Sequence, residues 1–501
     1  MSFVNALKSQ LSEATQLTEN GAVGYVTTGK AIVDMFFKVS SYRGMSDADV
    51  LADYTKVYAE DPNLAVKFAF YVGDIREGLG ERRLFKLMIK FLADKENFDK
   101  LIKFVPEYNR FDSLFVLRGT ELEAKMVKYV HAQLKADAKA DHPSLLAKWM
   151  PSANTSSEKT KELARWFISK FNMTEREYRK LLSKIRKQLD VVEVKMCGNE
   201  WDKISYTGVP SKANINYKDA FLKHDEDRRR AFLDKAVKGE VKMNSSTNFP
   251  HDIVHDYYDG RCWSPKLKPK DDALEALWNN LKDTVKEDGA NFIVVRDGSG
   301  SMTSTIGGTT VSALDVATAL SIYFAERQSG EFKNKFITFS SRPQLIDMGK
   351  GRNLHDKLQI VGAYDECSNT NIEATFDLVL KTAVANHMKQ EDIPNLLIIS
   401  DMEFDGATTN FGWHSSANEQ KTLFKHIADK FAAHGYTLPK LVFWNVCSRT
   451  GTIPMKQNEA CVGLVSGFSV NVVKAVLSGE LDPYKVIVKT LNAPRYENIK
   501  V

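Results

Sequence analysis

Phe292-Ile-Val-Val-Arg-Asp-Gly-Ser-Gly-Ser-Met302 is the stretch that most limits what this chain can fold into. Its apolar start runs into an arginine, an acid and a turn of alternating glycine and serine. A short run of this kind predicts a buried parallel strand with its loop at the carboxyl end. The loop sets the carboxylate of Asp297 and the hydroxyls of Ser299 and Ser301 at alternate positions, spaced by glycines that let the backbone fold tightly. Oxygen-only donors suit a hard cation, and one carboxylate beside two neutral hydroxyls suits Mg2+ or Mn2+ better than zinc. A plain Gly/Ser turn is the competing reading of the same residues.

Two later stretches point to the same place. Ser368-Asn-Thr370-Asn follows a polar loop and opens a helical pattern from Ile372 to Val384, and Leu396-Leu-Ile-Ile-Ser-Asp401 is a second apolar strand that ends in an acid. Open α/β sheets build their sites where strand carboxyl ends meet. Asp297, Ser299, Ser301, Thr370 and Asp401 are therefore expected to converge. In residue type and order they resemble the metal-ion-dependent adhesion site of von Willebrand factor A domains. That resemblance implies a bound Mg2+ (or Mn2+) held by these five residues, directly or through water. Around the site, Arg296 either weakens the pull on a cation or pairs with Asp405. Glu403 and Asp405 either add water contacts or cap a loop.

Beyond residue 271, strands are expected at 290–296, 333–339, 395–400 and 440–446, with helices at 311–327, 371–386, 417–434 and 469–477. Alternation of this kind predicts a doubly wound α/β domain with a mainly parallel sheet. Residues 1 to about 270 read instead as short amphipathic helices joined by polar loops, a pattern of stacked helix pairs. Phe3, Leu7, Leu11 and Leu17 suggest that the first helix runs from Met1 to Leu17. Arg261-Cys-Trp-Ser-Pro-Lys-Leu-Lys-Pro-Lys-Asp271 reads as a linker, so the expected domains are 1–270 and 271–501.

The helical part carries short signatures: Gly73-Asp-Ile-Arg-Glu-Gly-Leu-Gly-Glu-Arg-Arg83, Val105-Pro-Glu-Tyr-Asn-Arg-Phe-Asp112, Leu145-Leu-Ala-Lys-Trp-Met-Pro151, Val209-Pro-Ser-Lys-Ala213 and Phe249-Pro-His-Asp-Ile253. Together they resemble the TROVE module of Ro-type RNA-binding proteins. They resemble more closely a bacterial, viral and plant family that joins such a module to a von Willebrand A domain. The resemblance implies HEAT-like helical repeats, ring-forming in the Ro branch, and binding of structured or misfolded non-coding RNA.

The net charge is +5, and residues 1–272 carry 46 Lys/Arg against 39 Asp/Glu, which places the basic surface in the first half. Arg176, Lys180, Lys184 and Lys187 fall on one face of an expected helix, with Tyr178 interleaved. A basic face of this kind either binds phosphates by counterion release or is simply solvated. Arg82 and Arg83 stand near Gly78 and Gly80, and suit either a phosphate contact or an ion-pair network.

Five widely spaced cysteines without a CxxC pair read as free thiols in a reducing, cytoplasmic setting. No apolar run is long enough to span a membrane, and the start does not read as a signal peptide. No Walker A loop, GxSxG elbow or Cys–His spacing points to an enzyme. Two function classes follow. One is a Ro-like RNA-binding protein whose metal-dependent A domain docks a ligand or an acidic protein partner. The other is a metal-dependent interaction module without an RNA role.

Overall fold

A computed structural model describes residues 15–21, 23–259, 266–285, 292–328, 330–339, 342–364, 372–404, 423–454, 462–472 and 482–500. Along the chain the principal elements begin with β1 (Thr15–Leu17), β2 (Val23–Tyr25), α1 (Ala31–Phe37) and α2 (Asp47–Glu60). Then come α3 (Pro62–Gly73), α4 (Arg82–Phe91), α5 (Glu123–Asp137), α6 (Glu158–Lys170), α7 (Glu175–Gln188) and α8 (Glu226–Val237). The chain continues with α9 (Pro250–Asp256), α10 (Asp272–Asn279), β3 (Phe292–Asp297), α11 (Ala313–Arg327), β4 (Lys335–Phe339) and β5 (Leu345–Asp347). It closes with α12 (Leu354–Gly362), α13 (Ile372–Ala385), β6 (Asn395–Ser400), α14 (Leu423–Ala433), β7 (Leu441–Asn445), β8 (Val462–Ser466) and α15 (Pro483–Leu491).

These elements form two compact units, Met1–Glu60 with Asn248–Thr490 and Asp61–Thr247 with Leu491–Val501. The first contains a six-stranded sheet of order β8-β7-β6-β3-β4-β5. All neighbours are parallel except the edge strand β5, which runs antiparallel to β4. Every residue of β3 is buried, as a strand covered on both faces requires. Ile293 and Val295 join a core with Phe376, Ile398, Phe431 and Phe443. On the opposite face Phe292 meets Phe324 of α11 edge-on, and Phe324 in turn meets Trp444.

The sheet unit also takes chain that was expected in the helical half. Phe37 of α1 belongs to the sheet's core, and its carbonyl accepts from the Asn445 side chain at 2.8 Å. The next turn is pinned where Ser40 N donates to Ser466 Oγ at 3.1 Å. Tyr25 and Ile453 exchange both backbone hydrogen bonds. On α9, His255 sits 2.9 Å from Asp315 and 2.9 Å from Thr310. Glu275 of α10 accepts from Leu354 N and His355 N, capping α12. The expected boundary at 270/271 is therefore not where the units divide. Periodicity distinguishes helix from strand, but not which surface an amphipathic helix covers. Thr15–Leu17 likewise forms a strand, not the end of the expected first helix.

In the helical unit, Asp61 accepts from Leu64 N at 2.9 Å with Pro62 at the first helical position, so α3 starts as its sequence dictates. The signature after α3 is built around Asp74. This buried carboxylate accepts from Arg495 Nε and Nη2, from the Tyr496 hydroxyl at 3.0 Å and from Arg76 N at 3.0 Å. Tyr496 stacks on Tyr108 with centroids 5.7 Å apart. Gly78 is needed here, because a Cβ would lie 2.0 Å from the carbonyl oxygen of Tyr71. The second signature forms an ion-pair cluster in which Arg110 grips Asp112 at 2.8 and 2.7 Å, Lys86 pairs with the same acid at 2.9 Å, and Trp149 lies 4.0 Å beneath the Arg110 guanidinium. Among the described residues no helix is long and apolar enough to cross a membrane.

Breaking a buried ion pair leaves one charge without its partner. Asp74→Ala or Arg495→Ala is expected to lower the stability of the helical unit by about 3 kcal/mol. Denaturant midpoints check this, and the double variant should cost less than the sum of the two single changes.

Candidate functional site

The site forms where two neighbouring parallel strands end. The register pairs Arg296 with Ile399, so Asp297 and Ser400 stand side by side one residue further on. Asp297 is fully buried, and its carboxylate accepts from Ser400 Oγ at 2.6 Å and from Ser299 N at 2.9 Å. The Ser299 and Ser301 hydroxyls lie 2.9 Å apart, and Ser301 also hydrogen-bonds Asp401. Met402, directly after Asp401, has φ +62°, a left-handed conformation that costs a side-chain-bearing residue about 1–3 kcal/mol. The turn is held by Met402 N donating to Ser400 Oγ at 3.0 Å and Glu403 N donating to Asp401 Oδ1 at 3.2 Å.

Burial pushes both carboxyls up, and the neighbouring charge of Asp297 adds to the rise at Asp401, which is carried to about 7. Hydrogen bonds from Ser400, Ser299 and Ser301 and the nearby Arg296 and Arg449 guanidinia oppose the rise. Arg296 is buried against α11, where it donates to Thr318 Oγ1 at 3.1 and 2.8 Å. Asp405, its expected partner, lies outside the described residues, as does Thr370. The structure thus brings Asp297, Ser299, Ser301 and Asp401 together. Among the described residues no three His, Cys, Asp or Glu side chains gather as a metal cluster. Here two carboxylates are completed by hydroxyls.

Ser400 and Arg449 are parts of the site that the sequence reading did not single out. Ser400 was visible as the penultimate residue of the second strand, since parallel pairing places it level with Asp297. The expectation for Glu403 resolves toward loop capping. Its buried carboxylate accepts from Arg449 N at 2.8 Å, Thr450 N at 3.0 Å, Ser448 Oγ at 3.2 Å and Glu19 N at 2.8 Å. One side chain thereby ties the loop after β7 and the β1–β2 turn to the end of β6. Arg449, on that tethered loop, reaches Asp401 Oδ2 at 3.4 Å.

The basic helix is α7, which opens with a reciprocal cap between Thr174 and Glu177. Arg176, Lys180, Lys184 and Lys187 are all exposed, and Lys184 donates to the Ala138 carbonyl at 2.9 Å. Tyr178 does not interleave with them. It is buried, and its hydroxyl donates to Pro151 O at 2.8 Å. Arg186 is also structural, donating to the carbonyls of Ala147 and Met150 at 2.8 Å each. The Leu145–Pro151 signature is thus the seat on which α7 rests. Arg82 and Arg83 are exposed in the first turn of α4.

One chain that carries a helical unit and a mixed, mainly parallel α/β sheet unit is the class that fold and site define. Residues 18–96 and 93–290 match the family described as "Domain of unknown function (DUF2828)". Residues 291–492 match "Domain of unknown function (DUF7788)". The first match spans more than half of the chain, which therefore belongs to the DUF2828 family. A relative in Acanthamoeba polyphaga mimivirus, "Uncharacterized protein L728", is 28% identical over 520 residues, covering 95% of this chain and 86% of that protein. The crystal structure of the Deinococcus radiodurans RO (RSR) protein is similar at a TM-score of 0.42 and 12% identity, over 87% of this chain and 92% of that one. Likeness at that level carries neither fold detail nor function across.

Replacing the Glu403 carboxylate with an amide would set an NH2 group against donors. Glu403→Gln is expected to cost about 2 kcal/mol, the order of a buried donor left unsatisfied. It should also speed amide exchange at Arg449 and Thr450, read by hydrogen–deuterium exchange. Unchanged protection there would show that Glu403 does not hold the loop.

Proposed function

We propose that the sheet unit is a von Willebrand factor A domain that uses Asp297, Ser299, Ser301, Asp401 and Thr370 to hold Mg2+ or Mn2+ and dock an acidic protein partner. The observation that carries this reading is the convergence of two carboxylates and two serine hydroxyls at the ends of adjacent parallel strands. The sheet order, with one antiparallel edge strand, supports the A-domain assignment. The donors present suit a hard cation, since all are oxygen. Two buried acids, one of them raised further by the charge of the other, also gain from a nearby dication. When bound, the ion supplies an open coordination position for a carboxylate. The chain's own residues hold the ion and orient that position, and the role is docking, not catalysis. Asp297→Ala is expected to abolish Mn2+ binding in titration calorimetry while the helical unit keeps its far-ultraviolet dichroism. Native protein that takes up neither Mg2+ nor Mn2+ would end this reading.

A second reading concerns the helical unit, which we infer binds structured or misfolded non-coding RNA as a TROVE-like, HEAT-type repeat. The exposed face of Arg176, Lys180, Lys184 and Lys187 supports it, with Arg82 and Arg83 as the next candidates. Free Cys197 and Cys447 fit a reducing, cytoplasmic setting for both activities. Changing Lys180 and Lys184 to Glu is expected to weaken binding alike across RNA sequences. The log–log salt slope should flatten by about 0.7–0.9 for each phosphate that is no longer neutralised. Native protein that binds no RNA in a filter or anisotropy titration would leave the docking role alone.

A further inference from the structure

Arg449 stands at the rim of the Asp297–Asp401 cluster and reaches three elements. Its guanidinium pairs with the Glu19 carboxylate at 2.8 Å and donates to Ser304 Oγ at 3.2 Å and to Asp401 Oδ2 at 3.4 Å. Its backbone N–H is fixed on Glu403, so the arm rises from a tethered base. Accessibility separates the three charges. The side chains of Arg449 and Glu19 are 31% and 46% exposed, and that of Asp401 is 3% exposed, so solvent reaches the outer pair and not the inner acid.

We propose that Arg449 is the second anchor for the carboxylate of an acidic protein partner, and that Glu19 occupies this anchor until the partner arrives. The inference rests on the metal-dependent docking proposed above. A carboxylate that gives one oxygen to an open coordination position has its second oxygen left for a donor. A planar guanidinium is the side chain best shaped to take it. Arg449 already pairs with a carboxylate of this chain, that of Glu19. Glu19 is kept beside it by its own N–H on Glu403 at 2.8 Å, by Asn20 on the Glu403 carbonyl at 2.6 Å and by Thr18 on the Phe404 carbonyl at 2.7 Å. A partly exposed Arg–Glu pair contributes little stability. Replacing one carboxylate by another on the same guanidinium therefore costs little, and coordination at the ion supplies the preference for the partner. The β1–β2 turn is in this sense a built-in competitor, and Arg449 determines that the partner's ligand is an acid.

The test uses full-length protein, Mn2+ and fluoroacetate as the carboxylate probe. Mn2+ binding is read by loss of the free-ion electron paramagnetic resonance signal, and the probe by paramagnetic broadening of its 19F line. Native protein with bound Mn2+ should broaden the line. Arg449→Gln should weaken fluoroacetate binding about tenfold, the equivalent of one charge-assisted hydrogen bond, with Mn2+ still bound. Glu19→Gln should strengthen it, a direction that misfolding would not produce. Mn2+ binding with fluoroacetate indifferent to both variants overturns this inference and leaves the metal site standing. A larger effect of Arg449→Gln on dimethyl phosphate than on fluoroacetate overturns the acidic-partner assignment in favour of a nucleic-acid phosphate. Absence of Mn2+ binding in the native protein removes the docking reading and this inference with it.

Discussion

A carboxylate with no access to water has to be given its hydrogen bonds by the protein, and Asp297 is such a group. Ser400 supplies one from the neighbouring strand and the Ser299 amide supplies another from its own loop. Both depend on β3 and β6 being adjacent and in a register that ends them together. A one-residue slip would turn Asp297 toward the α11 face and bring Arg296 into the loop. The placement of Asp297, the direction of its loop and the nearness of Asp401 are therefore one constraint. Arg296, fixed on Thr318 by the alternation of side chains along β3, adds positive charge behind the acids without lying among them.

A second buried carboxylate performs the equivalent task for the loops. Glu403 gathers backbone donors from Arg449 and Thr450 and from Glu19, segments separated by hundreds of residues. Loops at the carboxyl ends of parallel strands have no ladder to satisfy their amides, so they need such an acceptor. Its presence explains why a hairpin from the start of the chain closes over the ends of β6 and β7. Asp74 does comparable work in the helical unit, where it recruits Arg495 and Tyr496 from the far end of the chain. In each unit the residues that join distant segments are acids buried among donors.

The helical signatures gain a physical meaning in this light. Gly73 to Arg83 holds a tight turn and the Asp74 hub, and Val105 to Asp112 holds the Arg110–Asp112 cluster. Leu145 to Pro151 seats α7 through Arg186 and Tyr178. These stretches are motifs of packing. Arg176, Lys180, Lys184 and Lys187 of α7 and Arg82 and Arg83 of α4 remain exposed. Tyr178 shows the limit of spacing as a guide, because its position in sequence among basic residues says nothing about the surface it faces.

Taken alone, the sequence determined what depends on neighbours along the chain. It determined the apolar strands and the acids that end them, the Asp61–Pro62 and Thr174–Glu177 helix starts, and the basic stripe of α7. Each of these follows from propensity, capping or periodicity within a few residues. Tertiary structure alone decided that residues up to Glu60 and from Asn248 onward belong with the sheet, and that the last residues belong with the helices. It likewise decided that Ser400 serves Asp297, that Glu403 serves two loops, and that Arg449 and Glu19 meet beside Asp401. The reason is that a hydrogen-bonding or charged side chain carries no local signal of its partner. Which partner it meets depends on how far-separated segments pack, and packing minimises exposed apolar surface and unmet donors over the whole unit at once.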